Sequence, residues 1–245
     1  MRAAPSADGL RRAPRVRLLA GPSRFSGRQK LALLAINAWP FLHAAVAVVG
    51  LCLAPWPGVG RPAFFLLWFF ALPAVLGRIL FAGGLPAGQH AVPSRTFFRW
   101  WALWQLQMVF NRMPWIEEGL RLVPGLYSLW LRAWGARIGK RTLWSPGVRV
   151  FDRPLLTIGD EVVVGIDVHF ASHFSGPDPE GVVTLTLGPI EVAAGTLVGG
   201  GALLGPGVVL GAGQATEALF LGTPFAVWKN GERISASTTD PAHPA

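Results

Sequence analysis

The run "PIEVAAGTLVGGGALLGPGVVLGAG", residues 189–213, repeats a small unit. Val192, Val198, Leu204 and Leu210 recur every six residues, and Ala193, Gly199, Gly205 and Gly211 follow them. A period of six is shorter than any helical repeat and suggests a β-solenoid. The same rule, an aliphatic or aromatic anchor usually followed by Gly or Ala, holds upstream in shifted registers. Ile138, Trp144 and Val150 form one run, and Ile158, Val164 and Phe170 another. Each hexapeptide reads as one short strand and a tight turn, and three of them close a triangular coil. The anchor points inward and stacks on anchors of the coils above and below. The small residue after it lets the backbone bend at the corner, where a larger side chain would clash.

Outside this repeat the chain changes character. It is 51% hydrophobic and only 14% charged, against about 25% charged for a typical soluble domain. That balance points to a membrane. Residues 1–141 carry 18 Lys/Arg and 3 Asp/Glu, whereas residues 142–245 carry 4 and 10. The basic half is also the apolar, tryptophan-rich half, so anionic lipid headgroups are the expected partner. Nucleic acid is not, because no recognition motif for it occurs. The single cysteine, Cys52, excludes an intramolecular disulfide and a cysteine zinc site.

Residues 1–30 hold eight basic residues and one acid, with no apolar period, and read as a basic disordered arm. Residues 31–84 read as a transmembrane helical hairpin. Its first limb, 31–56, is free of charge, and its second, 63–84, carries only Arg78. Each is long enough for the roughly 20 residues a bilayer requires. The first limb reads as a retained helix rather than a cleaved signal, since no small-residue cleavage site follows it. Basic residues flank both outer ends, which places both termini in the cytoplasm of a bacterial-type inner membrane.

Residues 94–134 hold six of the eleven tryptophans, interleaved with Arg95, Arg99, Arg112, Arg121 and Arg132. Pro114 and Pro124 divide them into short amphipathic helices. Rings and guanidinium groups in this pattern suit the headgroup layer. The other reading is a pair of core helices between membrane and repeat, and both readings can hold on different faces. Residues 135–230 then form the β-helix, and 231–245 a disordered tail.

From "GARIGKRTLW", "LLTIGDEVVVG" and the opening run, residues 135–230 resemble the hexapeptide-repeat acyltransferases, a family with a left-handed parallel β-helix; the lead-in suggests its membrane-associated O-acetyltransferases. In that family a histidine precedes an extruded loop, and a restart with Pro and Gly follows. Here His173 precedes "FSGPDPEGVVTLTLG", and "PIEVAAG" follows. The resemblance implies acyl-CoA, chiefly acetyl-CoA, as co-substrate, a homotrimer, and His173 as the general base. It implies a weaker donor site around Gly199, Gly205, Gly222, Pro224 and Lys229. "GTPFAVWKNG" matches the closing segment only in part, and the eight residues between 211–213 and 222–224 are about one hexapeptide short of the family pattern.

The chemistry agrees with that assignment. Moving an acyl group from a thioester to an alcohol needs a base at the hydroxyl, and neutral imidazole serves near pH 7. Counting three past the third-face anchors stacks Arg153 beneath His173, where its charge would oppose protonation or grip an anionic substrate. The same count on the second face puts Arg149 beneath His169, which is expected to support the site rather than act in it. Asp178 and Glu180 in the loop are further candidates to orient His173. A zinc hydratase on this fold needs three histidines, and the repeat supplies two, so no metal is expected. The expected activity is acyl transfer to a lipid-linked sugar, a polysaccharide precursor or another amphipathic alcohol. The alternative is a non-catalytic scaffold that uses the repeat to oligomerise.

Overall fold

The computed structural model describes residues 25–53, 55–56, 58–178 and 181–234. Most of the expected basic arm, the tail from position 235, and Glu180 lie outside the described residues.

From Arg137 onward, strands of two or three residues fall on three parallel ladders in turn. The first ladder stacks Arg137–Ile138, Leu156–Ile158, Ile190–Val192, Val209–Leu210 and Val227–Lys229. The second stacks Leu143–Trp144, Val163–Val164 and Leu197–Val198, with a single bridge on to Ala215. The third stacks Arg149–Val150, His169–Phe170, Leu203–Leu204 and Leu221–Gly222. The chain thus winds as a three-sided coil, and the anchors meet their own kind. Ile138, Ile158, Val192, Leu210 and Trp228 pair in sequence up one face. Nearly all anchors are buried. The small residue after the anchor is explained by coil spacing: a Cβ added at Gly139 would lie 2.4 Å from the Gly159 backbone, and one at Gly199 2.3 Å from Glu217 O.

The stretch that is short of the family pattern keeps the six-residue register. Three residues after an anchor the backbone turns through positive φ, and that mark recurs at Leu219, Phe225 and Gly231. The six-residue register therefore runs unbroken through Thr216, Gly222 and Trp228. Gly222 needs no side chain, because Leu204 and Val208 already lie within 3.2 Å of where its Cβ would be. One more strand follows the expected end of the coil. Glu232–Ile234 folds back antiparallel on Val227–Lys229.

The extruded loop is a β-hairpin. His173–Pro177 pairs with Val183–Leu187, and Gly88–Ala91 joins as a third strand. Alternation of Val183, Leu185 and Leu187 with Thr184 and Thr186 suits a half-buried strand, and Leu185 and Leu187 are buried against Trp100. Asp178 accepts a hydrogen bond from Val182 N at 2.7 Å, so it holds the hairpin tip.

Ahead of the coil lie α1 (Gly27–Leu53), α2 (Gly60–Leu66) and α3 (Leu72–Phe81), the last two joined through a π-helical turn at Leu67–Ala71. Then come α4 (Arg95–Arg112), α5 (Trp115–Arg121) and α6 (Leu126–Ala133). Ser94 caps α4 by accepting from Phe97 N. The tryptophan-rich stretch is divided by face. Trp100, Trp130 and Trp134 are buried between helices and coil, whereas Trp115 is 69% exposed.

Inward and outward residues on one ladder should differ sharply in cost. Ile158→Ala removes a buried anchor and should destabilise by about 2–5 kcal/mol. Glu191→Ala, on the outer side of the same ladder, should stay within about 0.5 kcal/mol. Denaturant melts of the two variants check this; equal losses would contradict the inward stacking.

Candidate active site

The coil breaks phase once before the hairpin. Val150 and Ile158 stand eight apart, and the two extra residues are taken up in a 3-10 turn at Arg153–Leu155. Asp152 enters this turn with its side chain fully buried. Its Oδ2 lies 2.6 Å from His173 Nδ1, and its Oδ1 accepts from Trp100 Nε1 at 3.1 Å. A carboxylate oxygen accepts, so in the neutral imidazole the pairing favours the proton on Nδ1 and the lone pair on Nε2. Trp100 and Trp104 flank the imidazole, with ring centres 4.9 and 4.5 Å from it. The His173 side chain retains 19% exposure, open on one side and walled on the others.

Burial works against a charged imidazole here, but the Asp152 charge and hydrogen bond outweigh it, and the His173 pKa is raised above 6.5. This reverses the effect expected of Arg153. The turn carries that guanidinium away from His173 and beneath the helices. Arg153 pairs with Glu117 at 2.8 Å, donates to Gln107 Oε1 at 3.2 Å and Asn111 Oδ1 at 2.9 Å, and is 1% exposed. Counting from the anchors failed because the two inserted residues rotate the chain, so the histidine's charged neighbour is an aspartate.

His169 stacks between Arg149 and Leu203 as expected. It meets the site through Phe151, whose ring lies 5.9 Å from it and stacks on Trp104. Burial and the Arg149 charge lower its pKa, against a smaller opposing pull from Asp167. Gly205, Gly222 and Pro224 are neighbours in adjoining coils: a Cβ at Gly205 would lie 2.9 Å from Gly222 O and 3.5 Å from Pro224 N. Gly199 is held tight against Glu217, and Lys229 lies at the exposed end of its strand.

Sequence reasoning missed Asp152, Trp100 and Trp104 as partners of the histidine. The broken spacing between Val150 and Ile158 was the available signal for a special turn there.

No family model matches the chain, and no curated protein matches it. Solved structures do resemble it. A hexapeptide-repeat-containing acetyltransferase from Vibrio cholerae is 17% identical over 52% of this chain and 90% of its own, with a TM-score of 0.37. A galactoside acetyltransferase in complex with coenzyme A is 14% identical over 49% and 76%, with a TM-score of 0.31. A maltose O-acetyltransferase from Clostridium difficile is 13% identical over 64% and 95%, with a TM-score of 0.28. These superpositions are loose. The three-sided coil stands on this chain's own strand pairing.

Asp152→Asn removes the charge that raises the His173 pKa. The acidic limb of any rate that needs neutral His173 should therefore move to lower pH, together with a fall in maximum rate from lost orientation. A pH–rate profile of wild type and variant checks this; an upward shift of the limb would contradict the pairing.

Proposed function

We propose that the protein is a membrane-anchored O-acyltransferase, with the coil as a left-handed parallel β-helix. It moves an acetyl or other acyl group from acyl-CoA to a hydroxyl of an amphipathic acceptor. The observation that carries the reading is the buried Asp152–His173 pair, which leaves His173 Nε2 free at a partly open, tryptophan-walled site. An imidazole so held can take the acceptor's hydroxyl proton as its oxygen attacks the thioester carbonyl. A new ester C–O bond forms. The C–S bond breaks as the tetrahedral intermediate collapses, and the imidazolium returns the proton to the leaving thiolate. Asp152, hydrogen-bonded to Nδ1, stabilises the imidazolium between the two steps. The half-exposed outer ring of His169 supports the wall that Phe151 and Trp104 form. Gly199, Gly205, Gly222, Pro224 and Lys229 remain the proposed donor side.

The membrane reading is supported by how the two apolar helices lie. Gly27–Leu53 and Gly60–Phe81 are long and apolar enough to cross, yet only 11% and 22% of their most apolar windows are buried within the protein. Core helices would be covered; these present Leu31, Leu34, Phe41, Leu42 and Leu53 outward. With basic residues at both outer ends, the coil lies on the cytoplasmic side, where acyl-CoA is available. A homotrimer is supported by the outer face of the coil. There Leu143, Val163 and Leu197 stand one above another in register, and Leu143 and Leu197 are exposed.

His173→Ala should lower turnover by about 10²–10⁴-fold, the usual worth of a positioned base. Protein yield and coenzyme A affinity should hardly change. Steady-state kinetics with acetyl-CoA checks this; near-normal turnover would remove the catalytic assignment and favour the scaffold reading. For the topology, reporter fusions after residue 245 should read cytoplasm, and a periplasmic signal would overturn the placement of the coil.

A further inference from the structure

Helix α4 carries two stripes. Trp100, Trp104, Gln107 and Asn111 face the coil and contact Asp152, His173, Arg153 and the Phe151 carbonyl. Their immediate successors, Trp101, Gln105, Met108 and Arg112, line a separate cleft of about 1140 Å³ on the other side of the helix. Positions at i, i+4, i+7 and i+11 share a helix face, so a one-residue offset turns the second stripe by about 100°. The far wall is α1 and the π-helical turn. Two irregularities shape it: Pro40 inside α1 and the π turn that carries Phe69 and Phe70. Both interrupt regular helix packing, which leaves a concavity where straight helices would close.

The lining is almost wholly apolar, and its lip is open, with Phe41 78% and Trp115 69% exposed. The polar atoms at one wall are already used: Asn37 Oδ1 accepts from Trp101 Nε1 at 2.8 Å and from Gln105 Nε2 at 3.1 Å. Arg112 is the charged residue of the cleft. No acidic residue lines it, and among the described residues Arg112 has no hydrogen bond or ion pair. An apolar trough with one free cation at its end, built from helices long enough to cross a bilayer, is complementary to a hydrocarbon tail that bears an anionic headgroup.

We propose that this cleft seats the tail of a single anionic lipid with its phosphate on Arg112, and that this lipid is the anchor of the acceptor. Arg112 follows Asn111, whose side chain donates to the Phe151 carbonyl one residue before Asp152. The end of α4 that would hold the phosphate is thus the end joined to the catalytic turn. The seat stands on the cleft alone; its tie to the acceptor rests on the acyl-transfer reading.

The test is native mass spectrometry of the full-length protein released from nanodiscs of equimolar phosphatidylglycerol and phosphatidylcholine with matched chains. One lipid per protomer should be retained. Phosphatidylglycerol should be favoured about fivefold, the worth of one arginine beside an anionic headgroup. Ala44→Phe fills the trough and should lower retention about tenfold, with Ala44→Leu falling between because it adds less volume. Arg112→Gln should keep retention but lose the headgroup preference. Equal retention in all variants, or a ladder of lipids without preference, would mean an ordinary annular shell and overturn the proposal. Retention that appears only after removal of residues 1–24 would identify that segment as the occupant and overturn it too. Lost retention with acyl transfer to a soluble alcohol intact would sink this proposal alone. Firm retention without transfer to any hydroxyl would sink the proposed function alone.

Discussion

The ion pair between Arg153 and Glu117 ties the two halves of the molecule together. Arg153 belongs to the first coil and Glu117 to α5, and both side chains are almost fully removed from solvent. Glu117 Oε1 also accepts from Trp130 Nε1 at 2.7 Å, while Gln107 and Asn111 of α4 take the remaining guanidinium contacts and Phe110 and Trp134 pack beside it. Removing one partner of such a pair leaves an uncompensated buried charge, a loss of about 3–5 kcal/mol. The pair is therefore less a source of net stability than a constraint on geometry. Together with the hydrogen bonds of Trp100 to Asp152 and of Asn111 to the Phe151 carbonyl, it fixes the helices in one register over the coil.

The geometry around His173 follows from that constraint. Gln107 Oε1 also accepts the backbone N–H of Arg153 at 2.9 Å, so the turn itself is clamped to α4. Asp152 is the residue immediately before. With the turn fixed, its carboxylate is aimed at His173 from below while Trp100 reaches it from the same helix. The histidine, at the start of the hairpin, is held by the coil, the helix and the hairpin at once. The third strand, Gly88–Ala91, joins the hairpin to the chain leaving the apolar helices. One face of α4 thus serves the site and the other lines the apolar cleft.

How much of this could be read from the residues depended on whether side chains or their absence carried the pattern. The ten anchors from Ile138 to Leu210 are large and apolar, and their stacking was legible. The coil continues through Thr216 and Gly222, the second small because Leu204 and Val208 fill its space, and there the anchor pattern was not legible. His173 was found through the loop that follows it. Asp152 was hidden because its position depends on a two-residue insertion and on helices more than forty positions away in sequence. Arg153 was misplaced for the same reason: a count along the coil assumes a regular corner. The tryptophan-rich helices were read by composition, which cannot separate an exposed ring from one packed beneath a coil; Trp115 is exposed and Trp134 buried.

The central claim is that Asp152 holds His173 as a base with its lone pair on Nε2. Nitrogen-15 NMR of histidine-labelled protein, with His173→Asn to assign the signal among five histidines, reads this directly. Above the raised pKa, the account predicts a protonated Nδ1 and an unprotonated Nε2. A neutral His173 that carries its proton on Nε2 would contradict it.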